Sequence, residues 1–330
     1  MSKSVIAKVE KGVNYFFHIQ AIAKINYDSE YAERYKNSVY TEDLDYLKRN
    51  KNLFLFGDGK PFSAFTVLYL FLPSLLNLNN YKKNNLYFDN LRFSLKEGRP
   101  SVFVEEYEEA IKRIEKLHNG YEKVLKDNLN LITANYLKEA KRVEKIFKRN
   151  YKLYDDEVWP KEKAKLENKA NELNNDLNKL NLINKYEKTT RKEYKSSKFV
   201  VALCSANKNG PDANDLGYGK NVHFYDRDKN DLIHIISHEI AVRILVSLKH
   251  YIDIELENNY MIYDALESIA EFYNYKVMDS RNNKMFKSFK MIEIYENIYS
   301  ENPDISVEDL FKMGLEKAKE KGDLYNRGFP

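Results

Sequence analysis

Two histidines four residues apart, His234 and His238, stand in the run Leu232-Ile233-His234-Ile235-Ile236-Ser237-His238-Glu239-Ile240-Ala241-Val242. Residues four apart share a helix face, so both imidazoles can be aimed at one ion. Further along, Asp264-Ala265-Leu266-Glu267-Ser268-Ile269-Ala270-Glu271-Phe272-Tyr273 sets two carboxylates, Glu267 and Glu271, at the same spacing. Two histidines at this spacing give a chelate for a metal ion that one histidine cannot. Glu239 follows His238 directly, about 100° further round a helix.

The histidine run resembles the H-E-x-x-H helix of zinc metallopeptidases of the zincin class, in two overlapping registers. From His234 to His238 it reads H-I-I-S-H, with both ligands present and Ile235 where the general base would stand. From His238 to Val242 it reads H-E-I-A-V, with the base Glu239 present and Val242 where the second ligand would stand. The first keeps the chelating pair. Glu267-Ser268-Ile269-Ala270-Glu271 is similar to the E-G-x-A-E-like run that supplies the third ligand in gluzincins. If the two helices run antiparallel, moving the histidine pair one turn back moves its carboxylate one turn forward. The first register then pairs with Glu271 and the second with Glu267.

The elements that must position these residues follow in order. Residues 198–205 (KFVVALCS) are apolar and β-branched, the pattern of a buried strand ending near the single cysteine, Cys204. Residues 207–220 gather Gly210, Pro211, Gly217 and Gly219 in one loop, and residues 221–225 (NVHFY) form a second strand. A helix is expected from Asp231 to about His250, and another over residues 260–275. The resemblance spans residues 197–275. It implies an edge strand at Asn221, Val222, His223, Phe224 and Tyr225 that holds an extended peptide by main-chain pairing. His18, His118, His223 and His250 have no comparable partner pattern and read as structural, with facing the cleft as the alternative for His223 on the edge strand.

The rest of the chain reads as helix. Apolar residues recur at three and four over residues 13–25, 104–126 and 131–154. Further helices are expected over 41–49, 161–186 and the apolar run 62–76, with an Asn-rich turn at 77–85 between them. Ser306-Val307-Glu308-Asp309 is a capping box opening a C-terminal helix. The fold class is α+β and mostly helical: a helical region over 1–196, and over 197–330 a zincin-like core with a small sheet over the active-site helix.

Composition narrows the function. The 54 Lys and Arg and 50 Asp and Glu are interleaved and leave a net charge of only +4, which argues against a dedicated nucleic-acid surface. One cysteine excludes an internal disulfide and a cysteine-rich zinc module. The run at 62–76 is too short to span a membrane, and residues 1–12 show no apolar leader core. The expectation is a cytoplasmic protein that binds zinc and a peptide or protein ligand, with hydrolysis weakened by Ile235. Two other readings stand beside it: an active, atypical peptidase using Glu239, and a helical scaffold with a vestigial site.

Overall fold

The computed structural model describes residues 3–54, 64–210, 212–251, 259–279 and 291–320. Pro211 and the start of the 62–76 run lie outside these residues, as does the side chain of His250. The chain is mostly helical, with one four-stranded sheet of order β1-β2-β4-β3. The strands are β1 (Ser4–Val9), β2 (Lys198–Cys204), β3 (Asn214–Asp215) and β4 (Lys220–Phe224).

The helices up to the sheet strand β2 are α1 (Lys11–Ile22), α2 (Glu30–Arg34), α3 (Thr41–Arg49), α4 (Ala64–Thr66), α5 (Leu72–Leu76), α6 (Tyr81–Glu97), α7 (Pro100–Glu106), α8 (Glu108–Glu115), α9 (Tyr121–Asn135), α10 (Leu137–Glu157), α11 (Trp159–Leu180) and α12 (Leu182–Thr190). A π-helical turn, Val67–Phe71, joins α4 to α5. After the sheet come α13 (Lys229–Leu245), α14 (Asn259–Met278), α15 (Ile292–Glu301) and α16 (Val307–Glu320). No described helix is long and apolar enough to cross a membrane.

Two compact units share the chain. The larger takes Ile6–Asn175 and Val200–Arg227; the smaller takes Met1–Val5, Asp176–Phe199 and Asp228–Pro330. The core of the larger unit is aromatic, with Tyr15, Phe16, Tyr69, Phe88, Phe147 and Tyr151 in mutual contact. A buried phenol is stable there only if its hydroxyl is bonded. Tyr15 donates to the Phe147 carbonyl at 2.6 Å, Tyr69 to that of Ala140 at 3.1 Å and Tyr151 to that of Leu78 at 3.0 Å.

Several sequence expectations are corrected. The first is the N-terminus, where Ser4–Val9 is a strand and not part of a helix. The Asn-rich turn ends earlier than expected, because Asn80 caps α6 by accepting from the Lys83 N–H at 2.9 Å. The long periodic helices are also interrupted, at Tyr107, at residues 116–120, at Tyr136 and at Asn181, which is left-handed with φ 49°.

The strand at 221–225 is not a free edge. β4 pairs in parallel with β2 (Leu203 opposite His223) and antiparallel with β3 (Asn214 opposite Val222). The Phe224 N–H is taken by Asp212 Oδ1 at 2.8 Å, and the Tyr225 N–H by the Cys204 carbonyl at 3.0 Å. Asn221, Val222 and His223 are buried. Their main chain is committed to the sheet, so a peptide cannot pair with them as it would with an edge.

Candidate metal centre on the α13–α14 helix pair

Helix α13 starts where Asp228 accepts the N–H groups of Asn230 and Asp231, at 2.8 and 3.2 Å, with the Asp231 carboxylate in the first turn. From Leu232 to Leu245 every side chain but Glu239 is buried, which explains the apolar run on all its faces. A polar group on such a helix must find partners. Those of His234 and His238 come from α14, the element it packs against most extensively.

Nε2 of His234 donates to Oε1 of Glu271 at 2.7 Å. Nδ1 of His238 donates to Oε2 of the same carboxylate at 2.9 Å, and its Nε2 to Oε2 of Glu267 at 2.9 Å. Position thus rises along α13 as it falls along α14, and the helices are antiparallel. His234, His238 and Glu271 are at most 2% exposed.

Beneath them lies a set of residues that the sequence reading missed. Asn274 donates to Glu271 Oε2 at 3.0 Å and to the His234 carbonyl at 3.3 Å. Tyr186, from α12, donates to Asn274 Oδ1 at 2.9 Å and stands 2.9 Å from Ser237 Oγ. The one signal for Asn274 was its place a turn beyond Glu271 on the same face. Nothing local marked Tyr186.

The electrostatics follow from this packing. Burial works against a charge on His238, but hydrogen bonds to Glu267 and Glu271 outweigh it and raise its pKa to about 10. Glu271 shows the mirror effect: burial favours its neutral acid, yet the two imidazoles hold it below the usual carboxylate range. Glu239 turns to Arg243, one helical turn on, at 3.1 Å. Burial lowers Arg243 to about 10, against the pull of Glu267. Ile235 is 5% exposed and brings no proton acceptor.

The donor atoms suit zinc in kind, being imidazole nitrogen and carboxylate oxygen. In spacing they are closed on one another. Ligands at 2.0–2.1 Å from a tetrahedral ion lie about 3.3–3.4 Å apart, whereas the pairs here sit at 2.7–2.9 Å. Among the described residues, no group of three or more His, Cys, Asp or Glu side chains has an arrangement that could hold a metal ion. An opening of roughly half an ångström and loss of the shared protons would convert one arrangement to the other.

Comparison of the chain with protein-family models, with curated proteins and with solved structures finds no match.

Proposed function

We propose that the α13–α14 pair is a zincin-like zinc site that binds metal and hydrolyses peptides slowly or not at all. One observation carries the reading: a single buried carboxylate, Glu271, receives both imidazoles of an i, i+4 pair. His234, His238 and Glu271 would hold the metal, while Glu267, which meets the other ring nitrogen of His238, would orient that imidazole from outside the ligand set. Asn274 and Tyr186 would orient the set, as outer-shell partners do. Bound zinc would polarise a carbonyl and acidify a water. This chain offers Ile235 where the base belongs and engages Glu239 with Arg243, which supports weak or absent turnover over an active peptidase. A zincin-like core is part of the same proposal.

A second reading is favoured by His238, whose two ring nitrogens both meet carboxylates. An imidazolium between two acids needs no metal and would pin α13 to α14 as a scaffold. Metal content of the full chain, purified without a His-tag, separates the two. The zinc reading expects about one zinc per chain, lost in His234→Ala and His238→Ala. A wild-type chain that takes up no zinc, cobalt or manganese on dialysis establishes the scaffold.

A further inference from the structure

A cavity of about 240 Å³ opens within the smaller unit. It is walled by the end of α12, by Tyr273 of α14 and by the start of α16. The α12 wall is held in place by its own side chains. Arg191 closes that helix at φ 57° and ψ 23°, a left-handed position that usually goes to Gly or Asn. Thr190 ties the turn on both sides: its Oγ1 donates to the Tyr186 carbonyl at 2.7 Å and accepts from the Lys192 N–H at 3.2 Å. Tyr273 follows Glu271 by two residues, about 200° round α14. It therefore projects from the side of α14 opposite to the one that meets His234 and His238.

Tyr273 is 2% exposed, and its hydroxyl has no hydrogen-bond partner among the described residues. That hydroxyl is not one of the polar atoms sealed from solvent, so the little surface Tyr273 keeps includes its oxygen, which opens on the cavity. It lacks the acceptor that a buried phenol takes. The charge of Arg191 acts on the same hydroxyl. At the start of α16, Ser306 Oγ accepts the Asp309 N–H at 3.1 Å, while the N–H groups of Val307 and Glu308 have no acceptor within the helix.

The charges on the lining decide what fits. Among the described residues they are Arg191, Lys192, Asp304 and Glu308. Lys192 and Glu308 pair with each other. Arg191 and Asp304 have no ion-pair partner among the described residues, each other included. A bare anion satisfies Arg191 and is repelled by Asp304, and a bare cation does the reverse. A ligand carrying both charges meets both. A void of about 150 Å³ takes benzene, so this one takes up to about ten heavy atoms, the size of a free amino acid.

We infer that this cavity binds a free amino acid, its carboxylate taken by Arg191 and the Tyr273 hydroxyl and its ammonium by Asp304. The site shares no residue with the proposed metal centre, and the test uses the full chain freed of metal on a chelating resin. Saturation-transfer NMR is run with the twenty protein amino acids, β-alanine and γ-aminobutyrate. At least one member is expected to bind saturably at millimolar concentration or below. Its carboxamide, which lacks the negative charge, and its N-acetyl derivative, which lacks the positive one, are each expected to bind at least about tenfold more weakly, the worth of a hydrogen bond to a charged group. Arg191→Gln, at an exposed side chain, is expected to weaken the amino acid by a similar factor with the far-ultraviolet circular dichroism retained. No saturable binding by any member, equal binding of either derivative, displacement by inorganic phosphate at equal concentration, or unchanged affinity in Arg191→Gln overturns the inference. The derivatives and phosphate decide on the wild-type chain alone.

Discussion

Nε2 of His234 and Oε1 of Glu271 meet at 2.7 Å although 37 positions separate them, and Glu271 is wholly buried there. A carboxylate in that setting is stable only with its partners. Glu271→Gln keeps the volume and removes the charge that two imidazoles share. It should destabilise the chain by about 3–5 kcal/mol, the range for breaking a buried ion pair. Glu267→Gln, at a partly accessible carboxylate, should cost clearly less. Urea unfolding in the presence of a chelator measures both. An equal or smaller loss for Glu271→Gln would mean the contact does not hold the helices together.

Asn274 links Glu271 and the His234 carbonyl to Tyr186. Asn274→Leu leaves every presumed ligand in place and strips its support. The zinc reading expects metal affinity to fall about 10–100-fold, as it does when outer-shell partners are lost. Competition with a chromogenic chelator reads this directly, and an unchanged affinity would remove Asn274 from the site.

Restoring the missing base is the sharpest probe of turnover. Ile235→Glu turns H-I-I-S-H into H-E-I-S-H, and general-base catalysis contributes about 10²–10⁴ in rate. Zinc-loaded Ile235→Glu should hydrolyse unstructured fluorogenic peptides measurably faster than the wild-type chain. Ile235 is buried, so the same change should lower stability. Strong wild-type hydrolysis that vanishes in Glu239→Gln would instead make Glu239 the working base. In that register Val242→His should strengthen metal binding.

His223 is fully buried, and neither ring nitrogen has a hydrogen-bond partner among the described residues. Burial lowers its pKa to about 4, against the pull of Asp212 3.9 Å away. His18, bonded to Tyr31 and Ser38, is likewise lowered by burial, to about 3. Between these values and about 6.5, the unfolded chain binds more protons than the folded one. Stability should therefore fall as the pH drops below about 6.5, by about 1.4 kcal/mol per unit for each histidine, and the loss should level off below the folded values. His223→Leu gives up no hydrogen bond. It should be near neutral at pH 7 and progressively stabilising relative to wild type toward pH 4.5, as denaturation midpoints would show.

Much of the second half was legible because local signals and tertiary partners agreed. The i, i+4 histidines and the later carboxylates meet as counting along antiparallel helices requires, and Ser306 caps α16 by accepting from the Asp309 N–H at 3.1 Å. Strand β2 follows its apolar run. What stayed hidden was non-local. Periodicity continues unbroken through Tyr107 and Tyr136, where the backbone nonetheless leaves the helix. That β4 is an inner strand depends on β3, only two residues long and set in a glycine-rich loop. Strand β1 carries Lys8 among its apolar residues and gave no clear alternation. Tyr186 reaches the site from a helix whose own sequence says only that it is amphipathic.

The division of the chain between two units has a consequence for the order in which they are made. Every segment of the larger unit ends by Arg227, whereas the smaller unit is incomplete until its longest segment, from Asp228, has been synthesised. Ribosomes emit the N-terminal part first, and domains generally fold as units. The larger unit can thus close around its aromatic core while the smaller holds only short pieces. His234 and His238 emerge before the carboxylates that receive them, and the helix pair forms last. A chain ending at Arg227 would hold every segment of the larger unit and neither helix of the α13–α14 pair.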